Sequence, residues 1–452
     1  MMNALPFLTS ILTGIICLRL LFLRKNIAPA LLVMLGSSLG ISLSGLWVIL
    51  SLLLFGQMTP VYLWLIHALL LTGGLITLLL YCPPGNRLPL RAIERSDYAG
   101  FILTGLLTIP IISHALLYPQ GGWDAWSCWN LKARFIFLGG ENWKAMFDPL
   151  LWRSNIAYPF LLPAINAWNW SIGSTPVWTS PLALSCLISF LTAGTLLFFT
   201  KKLTGRLQAF LAPAWLFSIF FIVQLASSQY SDLLLGLYLL NALGSFLCFR
   251  QSQENAWLIV TALSLGLMSF TKSEGMVLAL ISAATLTAWL GLFWRNLQRK
   301  RGLIFFIAIL GICLTPGLVY QLFLTPESLT FINGLSSAEK PTSLPRLQAI
   351  LVFTGLELIS PKWNGFWVIT LTGSLLAGKR TLRKDLLFIP VILCLYLLAV
   401  VGVYWINTFF EIVWWLSTTL NRILYALIPV IILWLFLLFE QTPDQKQNSP
   451  RK

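Results

Sequence analysis

Residues 61–82 read VYLWLIHALLLTGGLITLLLYC, an apolar run of 22 residues that contains no Asp, Glu, Lys or Arg. A helix of about 20 apolar residues is long enough to cross the hydrocarbon core of a bilayer. The other apolar runs have the same character, so the sequence predicts an all-α polytopic membrane protein with about 13 transmembrane helices. The predicted spans are 4–23, 28–56, 61–82, 98–118, 176–199, 207–226, 231–249, 256–270, 275–294, 303–324, 362–378, 386–405 and 422–439.

The composition supports the same fold class. Of the 452 residues, 58% are hydrophobic and only 10% are charged, whereas a soluble domain carries roughly 25% charged residues. Lipid must therefore solvate the excess apolar surface, and each backbone amide at membrane depth must find its partner inside a helix. The runs are long and continuous, whereas the strands of a membrane β-barrel alternate over about ten residues, so a barrel is excluded.

The net charge of +15 is distributed in short basic clusters between the apolar runs. This pattern argues against a nucleic-acid partner, because a nucleic-acid site gathers basic residues on one continuous surface. When the predicted spans alternate across the membrane, every cluster falls on one side, which the positive-inside rule assigns to the cytoplasm. These clusters are Arg24/Lys25, Arg87/Arg91/Arg95, Lys201/Lys202/Arg206, Arg250, Arg295/Arg299/Lys300/Arg301, Lys379/Arg380/Arg383/Lys384 and Lys446/Arg451/Lys452.

The same alternation predicts the organisation of the chain. Residues 1–97 are expected to form an N-terminal extension of three transmembrane helices, followed by a transmembrane core over 98–440. The C-terminal tail, 441–452, is then cytoplasmic. The core carries a first large external loop at 119–175, and a second at 325–361 whose prolines and glycines are typical of a lid over bound substrate.

The stretch GGWDAWSCWNLKAR, residues 121–134, follows the fourth predicted span directly. It places one carboxylate, Asp124, between tryptophans and ahead of two cations, Lys132 and Arg134. An aromatic belt at the membrane surface accounts for the tryptophans, but not for an acid fixed between two of them. A carboxylate here can act as a general base toward a hydroxyl arriving from water, and the cations can bind a lipid phosphate. A structural belt with salt bridges remains the alternative interpretation.

Three further polar points interrupt apolar runs on the predicted external side. They contain Asp232, the pair Lys272 and Glu274, and Arg422. An ionisable group near membrane depth costs roughly 2.5–3.5 kcal/mol on insertion scales, so such residues are usually functional or paired with one another. An internal salt bridge, of Asp232 with Lys272 or Arg422, is therefore an equally good explanation.

The remainder of the first external loop offers supporting elements. Residues 141–152 place apolar side chains at helical spacing, which predicts an amphipathic helix in the membrane interface, and simple anchoring explains most of its positions. Residues 155–163 contain Tyr158 before a proline and predict a kinked wall of the site. His114, at the end of the fourth span, is a candidate proton carrier.

In their order along the chain, these motifs resemble the GT-C glycosyltransferase superfamily. The nearest likeness is to the bacterial inner-membrane branch allied to dolichyl-phosphate-mannose protein mannosyltransferases and aminoarabinose transferases. The resemblance extends over about residues 98–440, and the stretch from Trp123 to Arg134 is its most specific part. One departure is that the aspartate loop follows the fourth predicted span, whereas the family pattern has it after the first.

The resemblance implies an inverting glycosyltransferase that moves a sugar from a polyprenyl-phosphate-linked donor to a lipid, glycan or protein acceptor. The active site would face the exterior of a bacterial inner membrane, with membrane lipids as further partners. By the same resemblance Asp124 would be the catalytic base. The implied substrate-binding residues are Trp123, Trp126, Lys132, Arg134, Glu141, Tyr158, Asp232, Lys272, Glu274 and Arg422.

No cofactor is firmly implied. Some branches of the superfamily use the aspartate as a metal ligand, but the doubled acid of those branches is absent beside Asp124, and divalent cations usually require more than one carboxylate. The cysteines also lack metal-type spacing. Two other functions remain open: a flippase or transporter of lipid-linked sugars, which favours ionisable groups at mid-membrane, and a glycan polymerase or ligase, which differs only in its acceptor.

Overall fold

The computed structural model describes residues 4–25, 27–82, 93–293, 298–325 and 343–440, with the backbone alone at 298–300. Throughout these residues the regular structure is helical, and no strand occurs in them. Nine of the described helices are long and apolar enough to cross a membrane, or ten if one bent pair counts as a span. The all-α polytopic class is therefore confirmed, whereas the expected total of 13 crossings is not.

The described α-helices are numbered here in chain order. Those before residue 170 are α1 (Leu5–Leu21), α2 (Pro29–Phe55), α3 (Pro60–Tyr81), α4 (Arg95–Leu117), α5 (Asn130–Leu138) and α6 (Leu161–Asn169). Those after it are α7 (Thr179–Leu203), α8 (Arg206–Ser218), α9 (Phe220–Ser227), α10 (Asp232–Ser252), α11 (Asn255–Ser269), α12 (Ser273–Phe293), α13 (Gln298–Val319), α14 (Leu344–Leu358), α15 (Phe366–Ala377), α16 (Phe388–Ile406) and α17 (Ile412–Phe439).

The centre of the bundle is α10, every residue of whose most apolar stretch is buried. It packs against α7, α11 and α17, which are also mostly buried. In the peripheral helices α3, α4, α13 and α16, most residues of the apolar stretch are not buried inside the protein, as expected for surfaces that lipid solvates. A site at the first turn of α10 therefore lies at the middle of the protein in cross-section.

The first three helices are packed onto the remainder of the bundle through α2, which contacts α6 and α7. Helices α1 and α2 approach so closely that a Cβ atom at Gly14 would lie 2.0 Å from the carbonyl oxygen of Gly36. On the core side, Asn241 of α10 donates a hydrogen bond to Ser38 Oγ at 2.8 Å. Polar as well as apolar contacts thus join the N-terminal helices to the core.

The predicted span 207–226 is not one continuous helix in the structure. It is divided into α8 and α9, which are bent by 75° about Ile219. The backbone of Ile219 is extended, and the carbonyl of Ser218 accepts a hydrogen bond from Asn364 Nδ2 at 2.7 Å instead of continuing the helix. The bend directs α9 toward the loop that precedes α10.

Three other predicted spans are shorter in the structure than a membrane crossing of usual length. They correspond to α1, α11 and α15, of 17, 15 and 12 residues. Loop 325–361 is also partly regular, because it contains the 15-residue α14. Its remainder at 326–342, the tail 441–452 and the basic side chains of 87–91 and 295–300 lie outside the described residues.

The boundary of the last span differs most from expectation. The sequence places a loop at 406–421 and a helix from 422, but α17 begins at Ile412. Glu411 caps it by accepting hydrogen bonds from the backbone amides of Val413 at 2.8 Å and Trp414 at 2.6 Å. Arg422 is therefore about ten residues inside a continuous helix.

The two ends of the bundle carry different charges. At one end, Lys201 Nζ contacts Asp97 Oδ1 at 2.5 Å and Glu94 Oε2 at 2.9 Å, which joins the last turn of α7 to the start of α4. Arg250, in the last turn of α10, pairs with Asp385 at 3.9 Å. We call this the Lys201 end. The opposite end, at which α4 finishes and α7, α10 and α12 begin, is the Asp124 end.

Candidate active site

Arg422 joins two carboxylates at the Asp124 end. Its Nη1 donates to Asp124 Oδ2 at 2.7 Å, while Nη2 and Nε both donate to Asp232 Oδ2, at 2.8 and 3.1 Å. Its guanidinium also lies over the ring of Tyr230, 4.4 Å from the centroid. Asp232 is the first residue of α10 and is almost fully buried. The arginine thus holds the aspartate of the loop after α4 against the central helix.

Lys272 extends this network to a third carboxylate. Its ammonium is 3.2 Å from Asp232 Oδ1 and 3.2 Å from Glu274 Oε1. Tyr158 donates a hydrogen bond to the same Glu274 oxygen at 3.3 Å, and the Lys272 ammonium is 5.5 Å from the centroid of the Tyr158 ring. The ion pairs that the sequence raised as an alternative, Asp232 with Lys272 or Arg422, are therefore both present.

The segment before Asp124 is shaped by a tight turn. Gly121 has a φ of 71°, and a Cβ at this position would lie 2.6 Å from the Ser228 carbonyl oxygen, so only glycine fits. The amide of Gly122 donates to that same carbonyl at 3.1 Å. A π-helix, Ala125–Trp129, begins directly after Asp124. The turn and the π-helix together fix the direction of the Asp124 side chain.

The aromatic residues of this segment fall into two groups. Trp129 is fully buried and stacks on Tyr158, with centroids 5.6 Å apart and planes within 7°. Trp123 and Trp126 form an edge-to-face pair whose centroids are 4.4 Å apart, and they are 60% and 48% exposed. The exposed pair flanks Asp124 in sequence and offers an apolar surface at the edge of the site.

Lys132 does not belong to the charge network. Its buried ammonium donates hydrogen bonds to the backbone carbonyls of Asn155 at 2.8 Å, Tyr158 at 3.0 Å and Ile156 at 3.4 Å. Burial lowers the pKa of this lysine below its usual value. Since all three of its donors are used, the contacts give Lys132 a structural role: it holds the segment that carries Tyr158.

Two more of the expected residues lie outside the network. Arg134 and Glu141 are exposed, and neither makes an ion pair within the described part of the chain. The predicted amphipathic helix at 141–152 is instead two 3₁₀ helices, Gly140–Phe147 and Pro149–Ser154. They meet where Asp148 precedes a proline, which cannot continue the hydrogen-bonding pattern. The contribution of Arg134 and Glu141 to substrate binding remains a prediction.

Sequence reasoning missed a chain of side-chain amides beneath the site. Asn166 donates to Asn130 Oδ1 at 2.9 Å, Asn130 donates to Gln229 Oε1 at 3.0 Å, and Gln229 donates to the Pro119 carbonyl at 2.9 Å. Gln229 has a positive φ of 61°. The signal available in the sequence was a set of lone amides at 130, 166 and 229, outside the predicted spans, which resembles ordinary loop polarity.

His114 and Tyr230 complete the surroundings. His114 shares a hydrogen bond of 2.6 Å with Ser227, which joins the end of α4 to the end of α9. Tyr230, like Tyr158, has a raised pKa because it is buried and faces a carboxylate, Asp124 for Tyr230 and Glu274 for Tyr158. Both phenols therefore remain protonated donors at neutral pH.

The network comprises three carboxylates and two cations, namely Asp124, Asp232, Glu274, Lys272 and Arg422. No group of three His, Cys, Asp or Glu side chains among the described residues is arranged to hold a metal ion. Each carboxylate has a cation at hydrogen-bonding or ion-pairing distance, which offsets the cost of burying it.

Five of the residues expected to form the site meet at one place in the fold: Asp124, Asp232, Lys272, Glu274 and Arg422. No protein-family model, no curated protein and no solved structure matches the chain.

Proposed function

We propose that the chain is an inverting glycosyltransferase, which moves a sugar from a polyprenyl-phosphate-linked donor to a lipid, glycan or protein acceptor, with Asp124 as the general base. The observation that carries this proposal is the placement of Asp124. Arg422 holds its Oδ2 at 2.7 Å, whereas no described residue donates to its Oδ1. The side chain is 18% exposed, so an acceptor hydroxyl can reach it. A fixed and accessible carboxylate is what general-base catalysis requires.

The chemistry needs a base on one side of the sugar and positive charge on the other. Asp124 accepts the proton of the acceptor hydroxyl while the hydroxyl oxygen bonds to the anomeric carbon. The bond from that carbon to the phosphate oxygen breaks, and its electron pair leaves with the phosphate, so the configuration inverts. Of the five N–H groups of Arg422, three bond carboxylates. The two that remain are suited to bind the phosphate.

We place the Asp124 end at the extracytoplasmic face of a bacterial inner membrane, with the C-terminus in the cytoplasm. The support is the charge at the other end, where Lys201, Arg250 and Arg383 lie. The positive-inside rule assigns such an end to the cytoplasm. A polyprenyl carrier lies in the bilayer, so its phosphate reaches a site at the end of membrane-spanning helices from the side.

The experiment that tests the proposal compares sugar transfer by the wild type and Asp124→Asn, purified and supplied with polyprenyl-phosphate-linked sugars. We expect kcat to fall by about 10²- to 10⁴-fold, because the amide cannot accept the proton. Asp148→Asn is the matched control, since Asp148 caps a 3₁₀ helix in the same loop and asparagine caps as well. Equal transfer rates for the wild type and Asp124→Asn refute the proposal.

The same preparations, reconstituted in vesicles, separate transfer from transport. A transferase consumes the glycosylated carrier and releases free polyprenyl phosphate. A flippase moves the glycosylated carrier across the bilayer without consuming it. Carrier that changes leaflet and stays glycosylated, in the presence of acceptor, contradicts the proposed reaction.

A further inference from the structure

The turn between α15 and α16 carries a dense group of cations. Residues 379–384 read KRTLRK, so four of these six side chains are basic. Lys379, Arg380 and Lys384 are exposed, and none of the three forms an ion pair with a described residue. The turn lies at the Lys201 end and joins two apolar helices, so its charges lie where that end of the bundle meets the membrane surface. We call residues 378–385 the basic turn.

The fourth basic residue fixes the shape of the basic turn. Arg383 donates to both oxygens of the Asp385 carboxylate, from Nη2 at 2.7 Å and from Nε at 3.1 Å. Trp289 of α12 donates its indole N–H to the carbonyl of Lys384 at 2.8 Å, and Arg250 of α10 donates to the carbonyl of Asp385. Two helices of the bundle therefore hold the turn, and its exposed cations are presented on a fixed backbone.

Other cations at the same end are neutralised within the protein. Lys25 lies 3.8 Å from a carboxylate oxygen of Glu254, and Arg206 lies 3.6 Å from one of Glu94. The basic turn contains a single acid, Asp385, whose carboxylate is already bound within the turn. Three positive charges of the turn therefore have no counterion among the described residues, and an anion from outside the chain can supply it.

Exposed leucines border these charges and narrow the choice of anion. Leu375 and Leu376, at the end of α15, are 72% and 77% exposed, and Leu382 within the turn is 70% exposed. Apolar side chains beside a basic surface segment are suited to contact acyl chains while the cations reach the level of the headgroups. A ligand that fits both features has a negatively charged head joined to apolar chains, which is the composition of an anionic phospholipid.

We propose that the basic turn binds an anionic phospholipid in the leaflet at the Lys201 end. The headgroup phosphate lies among Lys379, Arg380 and Lys384, and the acyl chains lie along the exposed leucines. Binding of this lipid is independent of the reaction proposed for the Asp124 end, because the two sites lie at opposite ends of the bundle. A lipid held in this way stays bound when the anionic lipid around the protein is diluted.

The test measures lipid binding to the full chain, delipidated in detergent, by native mass spectrometry. The probes are phosphatidylglycerol, which is anionic, and phosphatidylcholine with the same acyl chains, which has no net charge. Each cation near a surface favours an anionic headgroup about fivefold, so we expect the wild type to bind the first phosphatidylglycerol about 10- to 100-fold more tightly than phosphatidylcholine. The triple variant Lys379→Gln/Arg380→Gln/Lys384→Gln should bind the two lipids within about twofold of each other. All three side chains are exposed, so the variant is expected to fold.

The matched control is Arg24→Gln/Lys25→Gln/Arg206→Gln, which removes the same number of exposed charges at the same end. It should keep the wild-type preference for phosphatidylglycerol. A triple variant of the basic turn that keeps this preference, or a wild type that shows none, overturns the site. An equal loss in the control overturns it as well, because the attraction would then depend on total charge alone. Displacement of the lipid by soluble glycerol phosphate at the same concentration contradicts a lipid site, since the acyl chains would then contribute nothing.

Discussion

Arg422 bonds two carboxylates that come from distant segments of the chain, one in the loop after α4 and one at the start of α10. A charged side chain within a membrane-spanning helix is costly unless it is paired. Here the pairing is mutual, because Asp232 is almost fully buried and depends on Arg422 and Lys272 for compensation. Loss of one member therefore leaves buried charge without full compensation, which lowers stability more than replacing a whole ion pair by apolar residues does.

The arginine can be tested for stability independently of activity. We expect Arg422→Ala to lower the free energy of unfolding by about 3–5 kcal/mol, because Asp124 loses its cation and the buried Asp232 loses one of its two. Arg422→Lys should recover only part of this, since an ammonium cannot reproduce the forked contacts of a guanidinium. Thermal unfolding of the purified protein in detergent measures both. Arg134→Ala is the control, because Arg134 is exposed and should shift stability by no more than about 0.5 kcal/mol. Equal losses in Arg134→Ala and Arg422→Ala contradict the assignment.

At the level of single residues, the sequence singled out the ionisable residues of the charge network, but it did not predict the contacts of Lys132. Asp232, Lys272 and Arg422 interrupt apolar runs, and the energetic cost of such interruptions is what identified them. Lys132 was predicted to bind a phosphate because it follows Asp124 in the same loop, yet its partners are backbone carbonyls of residues 155–158. Every residue has a backbone carbonyl, so the sequence does not indicate which carbonyls bind a cation. A lysine that binds backbone carbonyls therefore cannot be distinguished by sequence from a lysine that binds a ligand.

Individual elements show where hydropathy fails as a guide to boundaries. The start of α17 was missed because its first turns contain Ser417, Thr418 and Thr419. In the structure these hydroxyls donate to carbonyls three or four residues earlier, such as Ser417 to Trp414 and Thr419 to Trp415, both at 2.8 Å. Hydroxyls satisfied in this way are compatible with a helix. The division of α8 from α9 was missed for another reason, since it depends on a contact with the distant Asn364.

The cap of α17 gives a prediction about pH. Hydrogen bonds from the backbone amides of Trp414 and Val413 hold the pKa of Glu411 below its usual value. A carboxylate with a depressed pKa in the folded state stabilises the protein above its unfolded pKa, and this stabilisation is lost as the pH falls through the folded value. The wild type should therefore have a higher Tm than Glu411→Gln at about pH 7, and the difference should vanish as the pH is lowered toward about 3.

The measurement is the Tm of both proteins in detergent across that pH range, so that acid effects common to both cancel. Ser343→Ala gives a comparison at another helix start, since Ser343 caps α14 with a side chain that does not titrate. Its effect on Tm should be the same at both ends of the range. A wild-type advantage over Glu411→Gln that persists unchanged at the acid end contradicts the cap as the cause.

At the scale of the whole molecule, the candidate site exists only when the chain is completely folded. The contact of Asp124 with Arg422 joins residues 298 positions apart, and both are held against the buried α10. Hydropathy identified the membrane class because that signal is local to each span. The contacts that bring α4, α10, α12 and α17 together at one end join segments that are distant in sequence. The sequence therefore supported this arrangement only through the assumption that successive spans alternate across the membrane.

That alternation makes a prediction about orientation. The Asp124 end and the Lys201 end must lie on opposite sides of the membrane, and the basic end is expected in the cytoplasm. Leu150, in the loop after Asp124, is 87% exposed, and Lys379, which precedes α16, is exposed near the other end. In intact cells made permeable only at the outer membrane, a membrane-impermeant maleimide should label Leu150→Cys, and it should label Lys379→Cys only after lysis. The unsubstituted chain gives the background from its own cysteines. The reverse pattern would place Asp124 in the cytoplasm, where a carrier sugar presented on the outside cannot reach it.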